Sequence, residues 1–368
     1  MSQWIQFHKS SLSKKVLADA SAILASCEQF QGGGILYNQA VSRLGGDYRD
    51  ACFLTSSCTS ALEMAFMSIA HSCSIDRCCN KVLLPSFAFS SCANAVLRAG
   101  LVPVFGDVNT DLNLCFKTIN DCSLSEFCAV LALDYAGYPC FDESTVECLK
   151  NLGLSVVMDS AQSFGLYELG KPPFASVDYQ VFSFHDTKTI STGEGGLLVC
   201  NPDTVDLELM SCFFEKGTNR RDFSKGLIAK YSWLSPGGSF VLSEINVALL
   251  LAQIDSLKAV IEHRQKVFMT LKRFFEEYDP SIKTGACGGS GHFFWILARD
   301  SSHRDELIQR LKVLKIQATT HYEPLHSSPY GGSAFKTLGN MNYTNHVAEV
   351  LLRLPTHDEA IGDLIEKL

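Results

Sequence analysis

A chain of 368 residues, 46% hydrophobic and 19% charged, is core-rich and outgrows a single small module, so it implies one large domain with a smaller one and excludes a disordered segment. The net charge of −8 argues against a nucleic-acid partner, whose docking face is basic. The 15 cysteines show no C-x-x-C spacing, so zinc-site spacing is absent and they read as small buried hydrophobes of a reducing cytoplasm.

The start, MSQWIQFHKSSLSKK, lacks the apolar stretch of a secretory leader, in keeping with a cytoplasmic location. Thr55-Ser-Ser-Cys58-Thr59-Ser60 then opens a helical pattern running to about Ala70. Short apolar runs follow at Lys81–Pro85, Cys128–Asp134, Leu154–Asp159, Tyr179–Phe184 and Gly196–Cys200. Runs of this length, apolar throughout, suit strands buried on both faces. Helical segments between them imply a mostly parallel α/β sheet.

Leu242–Tyr278 predicts one long helix, with Ile245, Leu249, Ala252, Leu257 and Ile261 on a recurring face. The domain change is placed there: residues 1–242 form the large domain and 243–368 a small α+β domain. Beyond a Gly-rich turn, His292–Ala298 reads as a strand, followed by a helix that Ser302 caps. The longest apolar stretches, such as Val247–Ala252, fall far short of the ~18 residues of a membrane span.

The chemistry concentrates in Val156-Val-Met-Asp159-Ser-Ala-Gln162 and Phe182-Ser183-Phe-His185-Asp-Thr-Lys188. Asp159 ends one buried strand, where α/β enzymes place ligand groups, and Lys188 follows another. Pyridoxal phosphate needs this pair: an amine for a Schiff base, and a carboxylate to keep the pyridine nitrogen protonated. Hydroxyls and free N–H groups around Thr55–Glu63 make a phosphate site at a helix start; the bland alternative is a capping box of Ser60 with Glu63. Phe87 or Phe89, just after a strand, offers an aromatic face for the ring. No metal site is implied.

In these motifs, SCTSALEMA, LLPSFAFSSCANAVLRAGLVPVFGDV, MDSAQSFG and FSFHDTKTISTGEGG, the chain resembles the DegT/DnrJ/EryC1/StrS sugar-nucleotide aminotransferases, from about residue 27 to the C-terminus. The resemblance implies fold type I of the pyridoxal phosphate-dependent transferases (aspartate aminotransferase-like). It also implies a homodimer that completes its sites across a two-fold axis. It makes Lys188 the Schiff-base lysine and proton shuttle, and Asp159 the partner of the pyridine nitrogen. Gln162 is assigned to the phenolic oxygen, Phe89 to the ring face, and Thr59, Ser60 and Ser183 to the phosphate, with Cys58 in the same loop. His185 stands beside the site. His321, Tyr322 and His326 are candidates for the sugar-nucleotide pocket, with Lys216 and Arg220 as its local positive charge.

Glu215–Arg220, Lys230–Trp233, His321–His326 and Leu351–Pro355 further resemble the branch that makes dTDP-4-amino-4,6-dideoxygalactose for enterobacterial surface glycans. That branch moves the amino group of L-glutamate to C4 of dTDP-4-dehydro-6-deoxyglucose. A transaminase for a GDP-perosamine or UDP-linked 4-amino sugar is the runner-up. A sugar dehydratase, which carries His at the lysine position, and a silent regulator on the same scaffold are the remaining alternatives. Two departures stand out. Val241 occupies the position where many members carry an Asn that reaches the neighbouring subunit's phosphate, and residues 1–26 match poorly.

Overall fold

The computed structural model describes residues 4–73, 79–115, 124–166, 177–286 and 289–368, without the side chain of Asp47. Eight strands form one sheet in the order β1-β7-β6-β5-β4-β2-β3-β10. They are β1 (Cys52–Thr55), β2 (Lys81–Pro85), β3 (Val102–Gly106), β4 (Phe127–Leu133), β5 (Ser155–Asp159), β6 (Tyr179–Ser183), β7 (Gly196–Cys200) and β10 (Lys336–Leu338). Only β7 runs against its neighbours; every other pairing is parallel. The fold is the α/β type I architecture.

The continuous apolar runs are strands because both faces are covered. Val82 and Leu84 of β2, Leu131 of β4 and Val157 of β5 enter one cluster, while Leu83, Val130, Val156 and Met158 enter another. Each fully buried Leu or Val contributes about 1.5–3 kcal/mol relative to exposure. The first cluster packs against α3 (Cys58–Cys73) and α4 (Ser90–Arg98). The second is closed by Val146 and Leu149 of α5 (Glu143–Asn151), which Asp142 caps by accepting from Thr145 N.

A smaller antiparallel sheet, β11-β9-β8, is built from β8 (Lys283–Thr284), β9 (Phe294–Leu297) and β11 (Leu351–Leu354). Phe294, Ile296, Leu352 and Leu354 bury a third cluster. The chain returns from this region to the large sheet through β10, which pairs in parallel with β3. The N-terminal arm joins both parts. Ile5 bridges to Ile316, and α1 (Lys14–Leu24) leads to α2 (Ile35–Gly45).

Two local expectations are corrected. The long helix is two: α8 (Glu244–Ile254) and α9 (Leu257–Tyr278), after α6 (Leu207–Phe214) and the short α7 (Arg220–Ser224). Ser256 Oγ donates to Gln253 O at 2.8 Å, so the side chain competes with the backbone ladder and the helix breaks at Asp255-Ser256. The helix after β9, α10 (Ser301–Val313), is capped by Asp300 and not Ser302, because the Asp300 carboxylate accepts from His303 N at 2.8 Å. No helix among the described residues is long and apolar enough to cross a membrane, and no group of metal-ligating side chains is found among them.

Candidate active site

The parallel strands end along one edge of the sheet, and that edge gathers the polar residues. Asp159 is the last residue of β5, and Ser183 the last of β6. The loop from β6 to β7 carries Lys188, tied down by Lys188 N to His185 O, Phe184 N to Gly195 O and Thr192 N to Phe184 O. A cavity of about 450 Å³ opens over this edge. Its lining includes Cys58, Thr59, Phe89, Asp159, Gln162, Ser183, His185, Lys188, His321 and Tyr322.

Asp159 is buried, with both oxygens held: Oδ1 accepts from Ala161 N at 3.0 Å and Oδ2 from Cys92 Sγ at 3.1 Å. Burial raises its carboxyl above the usual range, against the opposing pull of these bonds and of Lys188. Burial also lowers the Lys188 amine, although Cys58 and Asp159 pull it upward. A lysine held toward its neutral form is one that can take up and give back a proton near neutral pH.

The start of α3 lies against the same edge. Gly196, the first residue of β7, makes this approach: a Cβ there would meet Cys58 N at 2.6 Å and the carbonyl carbon of Ser57 at 2.6 Å. Ser57 Oγ accepts from Ser60 N at 3.0 Å, so Ser57 caps the helix and the capping box of Ser60 with Glu63 does not form. Glu63 instead pairs with Arg98 at 2.8 Å. Thr59 faces the cavity, with the α3 N–H groups behind it, as an anion site requires.

The aromatic wall divides two phenylalanines. Phe87 is fully buried, edge-on to Tyr322 at 5.4 Å and tilted against Tyr135 at 5.5 Å. Phe89 is 59% exposed and lines the cavity, which leaves it the free ring face. Gln162 is fixed at both ends, accepting from Ala136 N at 2.6 Å and donating to Tyr322 Oη at 3.2 Å. His321 Nδ1 meets Tyr135 Oη at 3.0 Å, and enclosure pushes its imidazole well below the ordinary value.

The other expected residues lie at the rim of the cavity or outside its lining. Ser60 Oγ, in the first turn of α3, is 3.0 Å from the hydroxyls of Ser56 and Ser57. His326 Nδ1 is engaged by Ser86 Oγ at 2.6 Å, outside the cavity lining. Lys216 and Arg220 face Glu215 at 3.9 and 3.6 Å. His185 stands at the rim, 3.0 Å from Thr187 Oγ1 and 3.7 Å from Glu194.

The lining also contains residues the motifs did not single out, among them Phe7, His8 and Lys9 of the arm and Arg264, His292 and Arg353 of the later part. His8 and Ser10 bond Asp186 at 3.0 and 2.6 Å, two residues before Lys188. Arg353 had a signal, a lone charge inside the apolar run Leu351-Leu-Arg-Leu-Pro355. The arm had none beyond its poor match.

Pyridoxal phosphate fits this donor set. Asp159 and Lys188 offer the carboxylate and amine it needs, Thr59, Ser183 and the start of α3 would hold its phosphate, and Phe89 would offer a ring face.

Residues 38–367 match the model of the DegT/DnrJ/EryC1/StrS aminotransferase family. UDP-4-amino-4,6-dideoxy-N-acetyl-beta-L-altrosamine transaminase of Helicobacter pylori is 27% identical over 86% of this chain and 83% of its own. dTDP-4-amino-4,6-dideoxy-D-glucose transaminase of Escherichia coli is 27% identical over 79% and 78%. Among solved structures, Helicobacter pylori PseC, an aminotransferase involved in the biosynthesis of pseudoaminic acid, superposes with a TM-score of 0.85 at 23% identity, covering 99% of both chains.

Proposed function

Because the chain belongs to the DegT/DnrJ/EryC1/StrS aminotransferase family, we propose that it moves the amino group of L-glutamate to C4 of a nucleotide-linked 4-keto-6-deoxy sugar. We take dTDP-4-dehydro-6-deoxyglucose as the acceptor and dTDP-4-amino-4,6-dideoxygalactose as the product, for surface glycan synthesis in the cytoplasm by a homodimer. The observation that carries the reading is the placement of Lys188, Asp159 and Thr59 around one cavity. A second acceptor class, a UDP-linked 4-keto sugar, is favoured by the named product of the Helicobacter pylori relative.

Bound pyridoxal phosphate supplies the electron sink that lets a C–H bond beside nitrogen break. The chain's own residues do the rest. Asp159, as a carboxylate, would hold the proton on the pyridine nitrogen, and the bonds from Cys92 and Ala161 and the charge of Lys188 favour that ionised form against the upward pull of burial. Lys188, lowered by burial, takes a proton from the donor carbon and returns it at the cofactor carbon, then reverses the order for the sugar. Thr59 and Ser183 give hydroxyls to the phosphate, while Phe89 and Tyr322 wall the cavity against water. His321 and Tyr322, which line the cavity, are assigned to the sugar nucleotide. Phe240-Val-Leu-Ser-Glu244 supplies no Asn at Val241, so Ser239 or the loop with Lys216 and Arg220 is proposed to compensate.

Two experiments test this. Lys188→Ala should abolish the visible absorption of the bound cofactor and all turnover; an unchanged band and rate would sink the reading. Incubation with glutamate and a panel of dTDP-, UDP- and GDP-linked 4-keto sugars, with NMR of the product, settles the acceptor and the configuration at C4.

A further inference from the structure

A buried acid beside the strand edge takes no part in the chemistry described above. Asp134 follows β4, is fully buried and lies outside the cavity lining. Leu133 next to it pairs with Asp159, and Asp134 N donates to Asp159 O at 3.0 Å. Its carboxylate is turned onto the residues that follow Asp159. Oδ2 accepts from Ser160 Oγ at 2.6 Å and from Ser163 Oγ at 3.0 Å, while Oδ1 accepts from Cys140 N at 3.0 Å. Ser160 Oγ in turn accepts from Gln180 Nε2 at 3.0 Å. Ser160, Ser163 and Gln180 are as fully buried as Asp134. Burial first, and then Asp134, push the Cys140 thiol well above its ordinary value, so it stays neutral beside the acid.

The turn after Asp134 grips Gln162 as well. Ala136 N donates to Gln162 Oε1 at 2.6 Å from a left-handed backbone, φ 56°, which a residue with a side chain adopts only under constraint. Ser290 Oγ donates to Gln162 O at 2.6 Å, and Ser163 N donates to Ser160 O at 3.0 Å, which closes the turn that Asp159 opens. A carboxylate only accepts, so Asp134 dictates where both serine hydroxyls point, through short charge-assisted bonds. Burying an acid is costly, and apolar residues would fill this part of the core without that cost. The pyridine nitrogen and the phenolic oxygen of pyridoxal phosphate are atoms of one rigid ring. Asp159 and Gln162 must therefore be held at a fixed spacing to meet both.

We propose that Asp134 is a positioning residue that fixes the spacing of Asp159 and Gln162 by drawing the hydroxyls of Ser160 and Ser163 onto one oxygen. The inference rests on the aminotransferase reading above and adds a residue that acts on the cofactor without touching it.

The test compares the wild-type holoenzyme with Asp134→Asn and with the double variant Ser160→Ala, Ser163→Ala. An amide has one acceptor oxygen, so D134N cannot serve both hydroxyls and Cys140 N, whereas the double variant keeps the carboxylate and removes the hydroxyls. The first readout needs no turnover: the pH at which the visible band of the bound cofactor changes. A proton on the pyridine nitrogen repels one on the nitrogen of Lys188, so a loosened Asp159 should move that midpoint upward by about half a unit or more in both variants. The kcat should fall about 10- to 100-fold, as a small misplacement implies, while half-saturation by glutamate changes less than about threefold. An unchanged band midpoint and kcat with only a lower thermal midpoint would make Asp134 a residue of the fold alone and overturn the proposal. So would a shift in D134N without one in the double variant, since the charge and not the grip on the serines would then be the cause. Should D134N fail to fold, the double variant decides. If the wild type shows the band but no absorbance change with glutamate, the aminotransferase reading fails, and the band midpoint still decides Asp134.

Discussion

The thiol of Cys92 donates to Oδ2 of Asp159 at 3.1 Å, on the side away from the bond that Ala161 N makes to Oδ1. Cys92 is fully buried in the first turn of α4, and burial pushes its thiol well above the ordinary value, so it stays protonated and stays a donor. The bond opposes the upward pull that burial exerts on Asp159. Cys92→Ala should therefore raise the Asp159 carboxyl further and loosen its orientation. A net bond worth about 1 kcal/mol corresponds to about fivefold weaker binding of pyridoxal phosphate, with recovery in Cys92→Ser. Absorbance titration of the apoenzyme reads this directly, and equal affinities for the wild type and Cys92→Ala would refute it.

Lys188 should be unusually nucleophilic in the apoenzyme. Its amine is lowered chiefly by burial, and the charge of Arg353 adds to that, so the neutral, reactive fraction grows in at lower pH than for an ordinary lysine at about 10.4. Acylation rates resolved by mass spectrometry across pH give the midpoint, with the exposed Lys258 as internal reference. Coincident profiles for the two lysines would contradict the geometry.

The parts legible in the sequence are those whose signal is local. Wholly apolar runs such as Val156–Met158 declare doubly covered strands, and Asp159 at the end of one declares the ligand edge. Residues 52–55 and 102–106 are strands too, but Cys52–Thr55 is short and Pro103 interrupts the second, so neither carries a clear pattern. The break at Ser256 depends on one hydroxyl choosing a carbonyl, which apolar periodicity does not register. The arm reaches the site through long-range contacts such as those of His8 and Ser10 with Asp186, partners separated by more than 170 positions. Arg353 lies between these cases: the charge in an apolar run is visible, but its cavity becomes apparent only once β11 is paired with β9.

Acid should destabilise the protein earlier than carboxylate titration alone explains. His292 and His321 are both held well below the ordinary histidine value, first by enclosure and then by nearby cations. Above about pH 6.5 both folded and unfolded forms are neutral, and stability is unaffected. As the pH falls below that, the unfolded chain binds protons that the folded one refuses. Stability then drops by no more than about 1.4 kcal/mol per pH unit for each histidine. Thermal midpoints of the apoenzyme at pH 7.5 and 5.5 measure the slope. His321→Gln should flatten it, and an identical slope in that variant would remove His321 from the account.

Gly196 tightly constrains the proposed phosphate site. It pairs with Ser183 on one side and Thr55 on the other, and its missing Cβ leaves room for Ser57 and the N–H of Cys58. Backbone cannot swing aside as a side-chain tip does, so Gly196→Ala must push the start of α3 away from β6. Overpacking of this kind costs about 1–3 kcal/mol, a fall of several degrees in the thermal midpoint. The larger effect falls on the anion site, whose N–H groups would no longer converge with the Ser183 hydroxyl. Affinity for pyridoxal phosphate should drop about tenfold or more, from loss of a charge-assisted bond, while affinity for pyridoxal, which has no phosphate, holds steady. Equal losses for the two ligands would mean that the substitution damages the ring site or the fold, and that the α3 terminus is not where the phosphate binds.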